Sequence, residues 1–289
     1  MKVLLAMDAS AASQTALEEV AARPWPSGSS VEILNVIEPA HLWTFSQTAE
    51  EALSISEELV ERAAAHCRLR SLETVVASTW GDPKSVILDH AKRIGADFVV
   101  VGSHGVSAVK RFLLGNVAAA VVRYAPCSVE VVRATAAADT GRKILLATDG
   151  SASSEKAARS IAARPWPAGT EIRILSVVEF YLPTMQAFFE PPFVQSDQVE
   201  KLREEAMKHA QEATASAAAI LAAANLTASE SVSVLQDGPK KVILDDAKEW
   251  GANLIVVGWH GRHGIDRFLM GSVSETVATH AECSVEVIR

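Results

Sequence analysis

The chain of 289 residues contains itself twice. Lys2-Val-Leu-Leu-Ala-Met-Asp8 returns as Lys143-Ile-Leu-Leu-Ala-Thr-Asp149, and Arg23-Pro-Trp-Pro26 returns as Arg164-Pro-Trp-Pro167. The offset of 141 holds through Val36 and Val177. From Lys84 onward it is 156, and residues 84–132 match 240–288 without a gap, with 26 identities in 49 positions. Repeat two therefore carries 15 extra residues between about 180 and 235. Solenoid units are roughly 20–50 residues long, so a period near 150 is a duplicated domain. Each copy is long enough to bury a core of its own. We place domain one at 1–138 and domain two at 139–289, with Ala134–Thr140 as the linker.

Each copy alternates strand and helix. Residues 2–7 form a continuous apolar run, the mark of a strand buried on both faces. A helix over 11–22 follows, capped by Ser10 and stopped by Pro24 and Pro26. Strands are expected at 31–37, 72–78, 98–101 and 129–132, with helices over 48–69, 83–94 and 116–123. Asp82 and Pro83 read as N-cap and first helical position. Repeat two repeats this plan, with strands near 143–148, 172–178, 231–235, 254–257 and 285–288 and a helix over about 196–224. The βαβαβαβαβ order implies an α/β fold: two tandem Rossmann-like domains, each a five-stranded parallel sheet with helices on both faces.

Such sheets bind ligands beyond the carboxyl ends of their strands, where the strand order reverses. After the fourth strand, repeat two reads Gly258-Trp-His-Gly261, nine residues, then Gly271-Ser272; repeat one reads Gly102-Ser-His-Gly105, nine residues, then Gly115-Asn116. Glycines let backbone approach a ligand closely, and a helix start presents unpaired N–H groups to an anion. Ser272 and Ser274 add hydroxyls there. The pattern suits a polyphosphate. The same glycines would also serve simply to end a strand and start a helix.

The spacing G-x2-G-x9-G-(S/T), with an Asp closing strand one, resembles the universal stress protein family, in both repeats and over nearly the whole chain. The resemblance implies an adenine nucleotide alpha hydrolase-like fold and binding of ATP, possibly with Mg2+. Gly258, Gly261, Gly271 and Ser272 would hold phosphates, Asp149 the adenosine end, and Val177 the nucleoside through its backbone. The equivalents in repeat one are Asp8, Val36, Gly102, Gly105 and Gly115. Repeat one departs from the pattern at Asn116, and Ala118 stands where repeat two has Ser274. Repeat two is therefore expected to be the better site. Family members pair through their last strand, so the resemblance implies an internal pseudo-dimer of the two repeats. It also makes a homodimer of tandem chains an expectation.

His104 and His260 sit inside the glycine loops, with no metal-ligand spacing around them. Arg111 and Arg267 reach toward phosphate or toward solvent. Cys127 and Cys283 read as small apolar groups at the start of the fifth strands. The aromatic-rich stretch 180–193 is a lid, a contact between chains, or a loop on its own domain. A net charge of −8 argues against a nucleic-acid partner. Three cysteines outside any CxxC pair fit a reduced, cytoplasmic protein. No apolar run reaches membrane-spanning length. No GxxxxGK[ST] loop, kinase motif set or post-strand GxGxxG occurs. Three functions stay open: a nucleotide-responsive regulator, a slow ATPase, and a nucleotide-free scaffold.

Overall fold

The structure, a computed structural model, describes residues 1–39, 48–105, 114–133, 141–178, 196–234, 238–262 and 270–289. The expected linker 134–140, the aromatic stretch 180–193, Arg111 and Arg267 lie outside the described residues. Repeat one runs β1 (Lys2–Ala6), α1 (Ala11–Ala22), β2 (Ser30–Ile37), α2 (Ala49–Arg68), β3 (Glu73–Trp80), α3 (Pro83–Ile94), β4 (Phe98–Gly102), α4 (Asn116–Tyr124) and β5 (Ser128–Val132). Repeat two runs β6 (Lys143–Ala147), α5 (Ala152–Ala162), β7 (Glu171–Val177), α6 (Ser196–Ala222), β8 (Ala228–Ser233), α7 (Gly238–Trp250), β9 (Leu254–Gly258), α8 (Ser272–His280) and β10 (Ser284–Ile288).

Alternation along β1 explains the layers. Val3 and Leu5 point to one face, against α1 and α2, where Leu17, Val20, Val60 and Ala64 are buried. Leu4 and Ala6 point to the other face, against α3 and α4, where Ile87, Ala91 and Val121 are buried. Repeat two continues both cores. Local signals set the helix ends. The Ser10 hydroxyl accepts the Ser13 N–H at the start of α1. Asp82 caps α3, Pro83 opens it, and Gly95 ends it at φ +62°.

The strand order is β3-β2-β1-β4-β5-β10-β9-β6-β7-β8, a single ten-stranded sheet. Pairing is parallel within each repeat. It is antiparallel at the seam, where Val131, Glu130 and Val129 face Val285, Glu286 and Val287. The two fifth strands thus cover one another, and β3 and β8 are the outer strands. One expected element is displaced. β8 starts at Ala228, not near 231, because its register with β7 runs from Ile172↔Ala228 to Val177↔Ser233. This outer strand carries Ser229, Glu230 and Ser231, so it shows no apolar run to read. Cys127 and Cys283 are half-buried, and burial pushes both thiols up to about 11. No helix among the described residues is long and apolar enough to cross a membrane.

The seam holds a charge cluster. Glu130 and Glu286 stand directly opposite each other and are 0% exposed. Facing like charges repel, and burial removes the water that would screen them. Arginines resolve this. Arg23 Nη2 donates to Glu130 at 2.6 Å and its Nη1 to Glu286 at 2.9 Å. Arg164 donates to both oxygens of Glu286, each at 2.6 Å. Arg23 and Arg142 also share Glu19 Oε1, at 2.7 and 2.6 Å. The repeated Arg-Pro-Trp-Pro segments supply Arg23 and Arg164. In each, proline ends the helix, and the Trp indole N–H (Trp25, Trp166) caps a carbonyl (Val20, Ile161) at 2.8 Å. The two rings also lie 5.2 and 4.7 Å from the guanidiniums of Arg23 and Arg164.

Burial drives the Glu130 carboxyl up to about 7. Burial also pushes Glu19 and Glu286 upward, but their arginines outweigh it and hold both below the ordinary carboxylate range. The signs differ accordingly. A raised folded-state value favours the native state at low pH, and that benefit is lost as pH rises from about 4.5 through about 7. Lowered values do the reverse, and their benefit is lost in acid. Glu286→Gln is expected to cost about 3–5 kcal/mol at pH ~8, because it leaves Arg164 buried without its carboxylate. Glu130→Gln is expected to cost much less, and to flatten the decline in stability between about pH 4.5 and about 7. Urea unfolding of the three proteins across pH checks both statements.

Candidate functional site

The order β3-β2-β1-β4-β5 reverses direction between β1 and β4, and repeat two reverses between β6 and β9. The loops after those strands therefore meet over one crevice in each repeat. In repeat two the crevice is a cavity of about 820 Å³, within the size range of small-molecule sites. Asp149, Val177, Gly258, Gly261, Gly271, Ser272 and Ser274 all line it. In repeat one Asp8 and the loop Gly102–Gly105 meet in the same way, and Gly115 and Asn116 open α4 beside them. Val36 is half-buried near the end of β2.

The glycines have packing reasons as well. A Cβ on Gly258 would lie 2.6 Å from the Ser153 carbonyl carbon, and one on Gly102 2.7 Å from that of Ala12. The first turns of α5 and α1 press onto these strand ends. A Cβ on Gly261 would meet Asp149 Oδ2 at 3.0 Å, and one on Gly105 would meet Asp8 Oδ2 at 2.7 Å. Gly271 N–H donates to the Trp259 carbonyl and Gly115 N–H to the Ser103 carbonyl, both at 2.8 Å. The spacing thus folds the loop back onto its strand.

Asp149 holds that loop from the other side, and Asp8 ties the start of α1. Asp149 Oδ1 accepts the Ser151 N–H at 3.0 Å, and Oδ2 accepts the Arg262 N–H at 2.8 Å. Asp8 Oδ1 accepts the Ser10 N–H at 3.0 Å and the Ser13 hydroxyl at 2.7 Å. Asp149 lines the cavity, and each of its oxygens, with one of these bonds accepted, has capacity for a further donor.

The two serines have different surroundings. Ser272 is exposed in the first turn of α8. Ser274 is 4% exposed and donates its proton to the Gly258 carbonyl at 2.6 Å. It therefore braces the loop, where the sequence suggested a donor open to the ligand. Neither Gly271 nor Gly115 offers a side-chain cap, so α8 and α4 start with uncapped N–H groups. His260 lines the cavity, and its Nδ1 is buried without a hydrogen-bond partner. Its ring lies 4.0 Å from that of Trp259, over which the Arg289 guanidinium sits at 3.5 Å.

Sequence reasoning missed one wall. Leu202, Glu205, Ala206, His209 and Ala210 of α6 face the cavity. This helix has 27 residues against 20 in α2. The 15-residue excess in repeat two was the available signal.

The lining mixes apolar side chains (Ala147, Leu175, Val178, Ile243, Met270, Val273) with Asp149, Ser272 and the start of α8. That mixture suits a ligand with an apolar part and a polar part. Among the described residues, no three His, Cys, Asp or Glu side chains gather to hold a metal.

The Universal stress protein family matches residues 1–133 and again residues 141–289. A putative universal stress protein of Staphylococcus epidermidis is 31% identical over 139 residues, covering 45% of this chain and 82% of that protein. Of solved structures, a universal stress protein from Archaeoglobus fulgidus superposes with a TM-score of 0.68 at 20% identity, covering 100% of this chain and 98% of that one. A functionally unknown Pseudomonas aeruginosa protein superposes at 0.61 and 19% identity, covering 99% and 92%. The structural likeness speaks for the fold and the two family matches for descent: the chain belongs to the universal stress protein family, with two family domains in tandem.

Proposed function

We propose that repeat two binds ATP and that the protein acts as a nucleotide-responsive regulator of a stress response. One observation carries this reading. The cavity gathers the strand-one aspartate, the end of β7 and an uncapped helix start behind a glycine loop. The phosphates would lie at the N-terminus of α8, where the N–H groups of the first turn and the Ser272 hydroxyl converge. The free lone pairs of Asp149 would take a ribose hydroxyl or the adenine amine, beside Val177. A Mg2+ arriving with the nucleotide would be held by phosphate oxygens.

Repeat one presents Asn116 and Ala118 in place of the two serines. Ser274 braces the loop and Ser272 lines the cavity, so the changes remove a brace and exchange a hydroxyl at the helix start for a bulkier amide. A hydrogen bond to a charged group contributes about 1.5–3 kcal/mol, or roughly 10–100-fold in affinity. We therefore assign the stronger site to repeat two.

Titration of the full chain with ATP tests the assignment. Gly271→Asp puts a carboxylate at the phosphate position, and an affinity loss of roughly 100-fold or more is expected. Gly115→Asp is expected to leave the strong site within about threefold. Ser272→Ala is expected to lose about 10–100-fold. Equal losses from Gly271→Asp and Gly115→Asp would sink the asymmetry. Gly258→Ala is expected to lower stability by about 1–3 kcal/mol through its clash with the start of α5, so it controls for loop damage. Nucleotide released on denaturing the purified protein separates the alternatives: ATP supports the regulator, ADP a slow hydrolase, and no nucleotide with no titration a scaffold.

A further inference from the structure

The seam cluster is symmetric in four side chains and asymmetric in two. Arg23 and Arg164 are equivalent in the repeats, as are Glu130 and Glu286. Glu19 and Arg142 are not: their equivalents are Ser160 and Met1. Glu19 accepts Arg142 at 2.6 Å across the boundary between the repeats. On the opposite side Ser160 offers Arg164 its carbonyl at 2.9 Å and its hydroxyl at 3.4 Å. None of these six charged side chains is more than 4% exposed.

Outside the cluster, one contact across the seam differs between the repeats: Arg123 pairs with Glu275, whose equivalents are Thr279 and Ala119, but both side chains are about half exposed to water, where such a pair discriminates little. The strands Ser-Val-Glu-Val-Val and Ser-Val-Glu-Val-Ile are interchangeable in an antiparallel pair. Ser128 accepts the Arg289 N–H and Ser284 accepts the Arg133 N–H, both at 3.2 Å. A pair of like repeats would keep these bonds and the apolar contacts beside them.

We infer that Glu19 and Arg142 make the pairing heterotypic: the β5 face of repeat one fits repeat two and rejects a second repeat one, and the β10 face behaves in the same way. Transferring the contacts by repeat equivalence decides it. A one–one pair would bury two arginines with four glutamates. A two–two pair would bury four arginines with two glutamates. Only the one–two pair balances three against three. Buried charge left unbalanced is neither screened by water nor paired, so it discriminates strongly. The asymmetric pair thereby disfavours chains linked through like repeats, which would leave their other halves open to further copies.

The test starts from the folded full chain. A protease site is placed between residues 133 and 141, and the protein is cut at pH ~8. The halves exchange in mild urea, the urea is removed, and native mass spectrometry reads the pairs. The cut wild type is expected to give one–two pairs alone. Glu19→Ser balances the one–one cluster, so one–one pairs are expected while two–two pairs stay absent. Arg142→Met balances the two–two cluster and is expected to give two–two pairs only. The double variant keeps only the exposed Arg123–Glu275 contact, and like pairs are expected to approach roughly half of the total. Each substitution installs the residue that the other repeat already holds at that position, so space is available for it. Like pairs in the wild type would overturn the inference. So would single variants that lose pairing without the stated like pair, or a double variant that stays heterotypic.

Discussion

The meeting of Glu130 and Glu286 at the centre of the β5–β10 seam governs this molecule. Two carboxyl groups face each other where water does not reach, so once Glu130 ionises, at about pH 7 and above, the seam needs cations inside it. Arg23 and Arg164 enter from the ends of α1 and α5, and Arg142 from the residue before β6. A buried ion cluster contributes little net stability compared with a well-packed apolar core. Its effect is geometric: the carboxylates fix where each arginine ends, and the arginines fix how α1, α5 and β6 approach the sheet. Two five-stranded halves become one ten-stranded sheet with both cores continuous across it.

That arrangement also positions the crevices. The first strand of each repeat is flanked on one side by the second and on the other by the fourth. The loop after strand one therefore meets the glycine loop after strand four. Asp149 ties the two loops together, Asp8 lies against Gly105, and the glycines leave room for both. The same residues explain loop architecture and leave an uncapped helix start facing the cavity. The glycines have distinct structural roles: Gly258 is required by the approach of α5, and Gly271 leaves the start of α8 without a side-chain cap.

Much of this was legible in the residues themselves. The run Val3–Ala6 reads as a buried strand because both of its faces are covered, and duplication let each element be read twice. The outer strand β8 was misplaced because one covered face does not force an apolar run on Ser229, Glu230 and Ser231. The seam charges were hidden for another reason. Glu130 sits within an apolar pattern, and its partner Arg23 lies 107 residues away, at the end of a helix. The repeated Arg-Pro-Trp-Pro segment was visible, but its meaning depends on a contact that only the closed sheet makes. Position alone makes Ser274 a hydroxyl donor at the helix start; its burial and its bond to the Gly258 carbonyl depend on the folded loop. The wall supplied by α6 follows from helix length, which the insertion signalled without stating where the added turns would lie.

The account comes down to a fused pair whose halves share a fold and differ at their sites. Equilibrium dialysis of the wild-type chain against ATP, carried to saturation of the tighter class, measures this directly. The account predicts about one tightly held ATP per chain, with any second site filling only at much higher concentration. Two equivalent sites per chain, or no bound ATP at all, would contradict it.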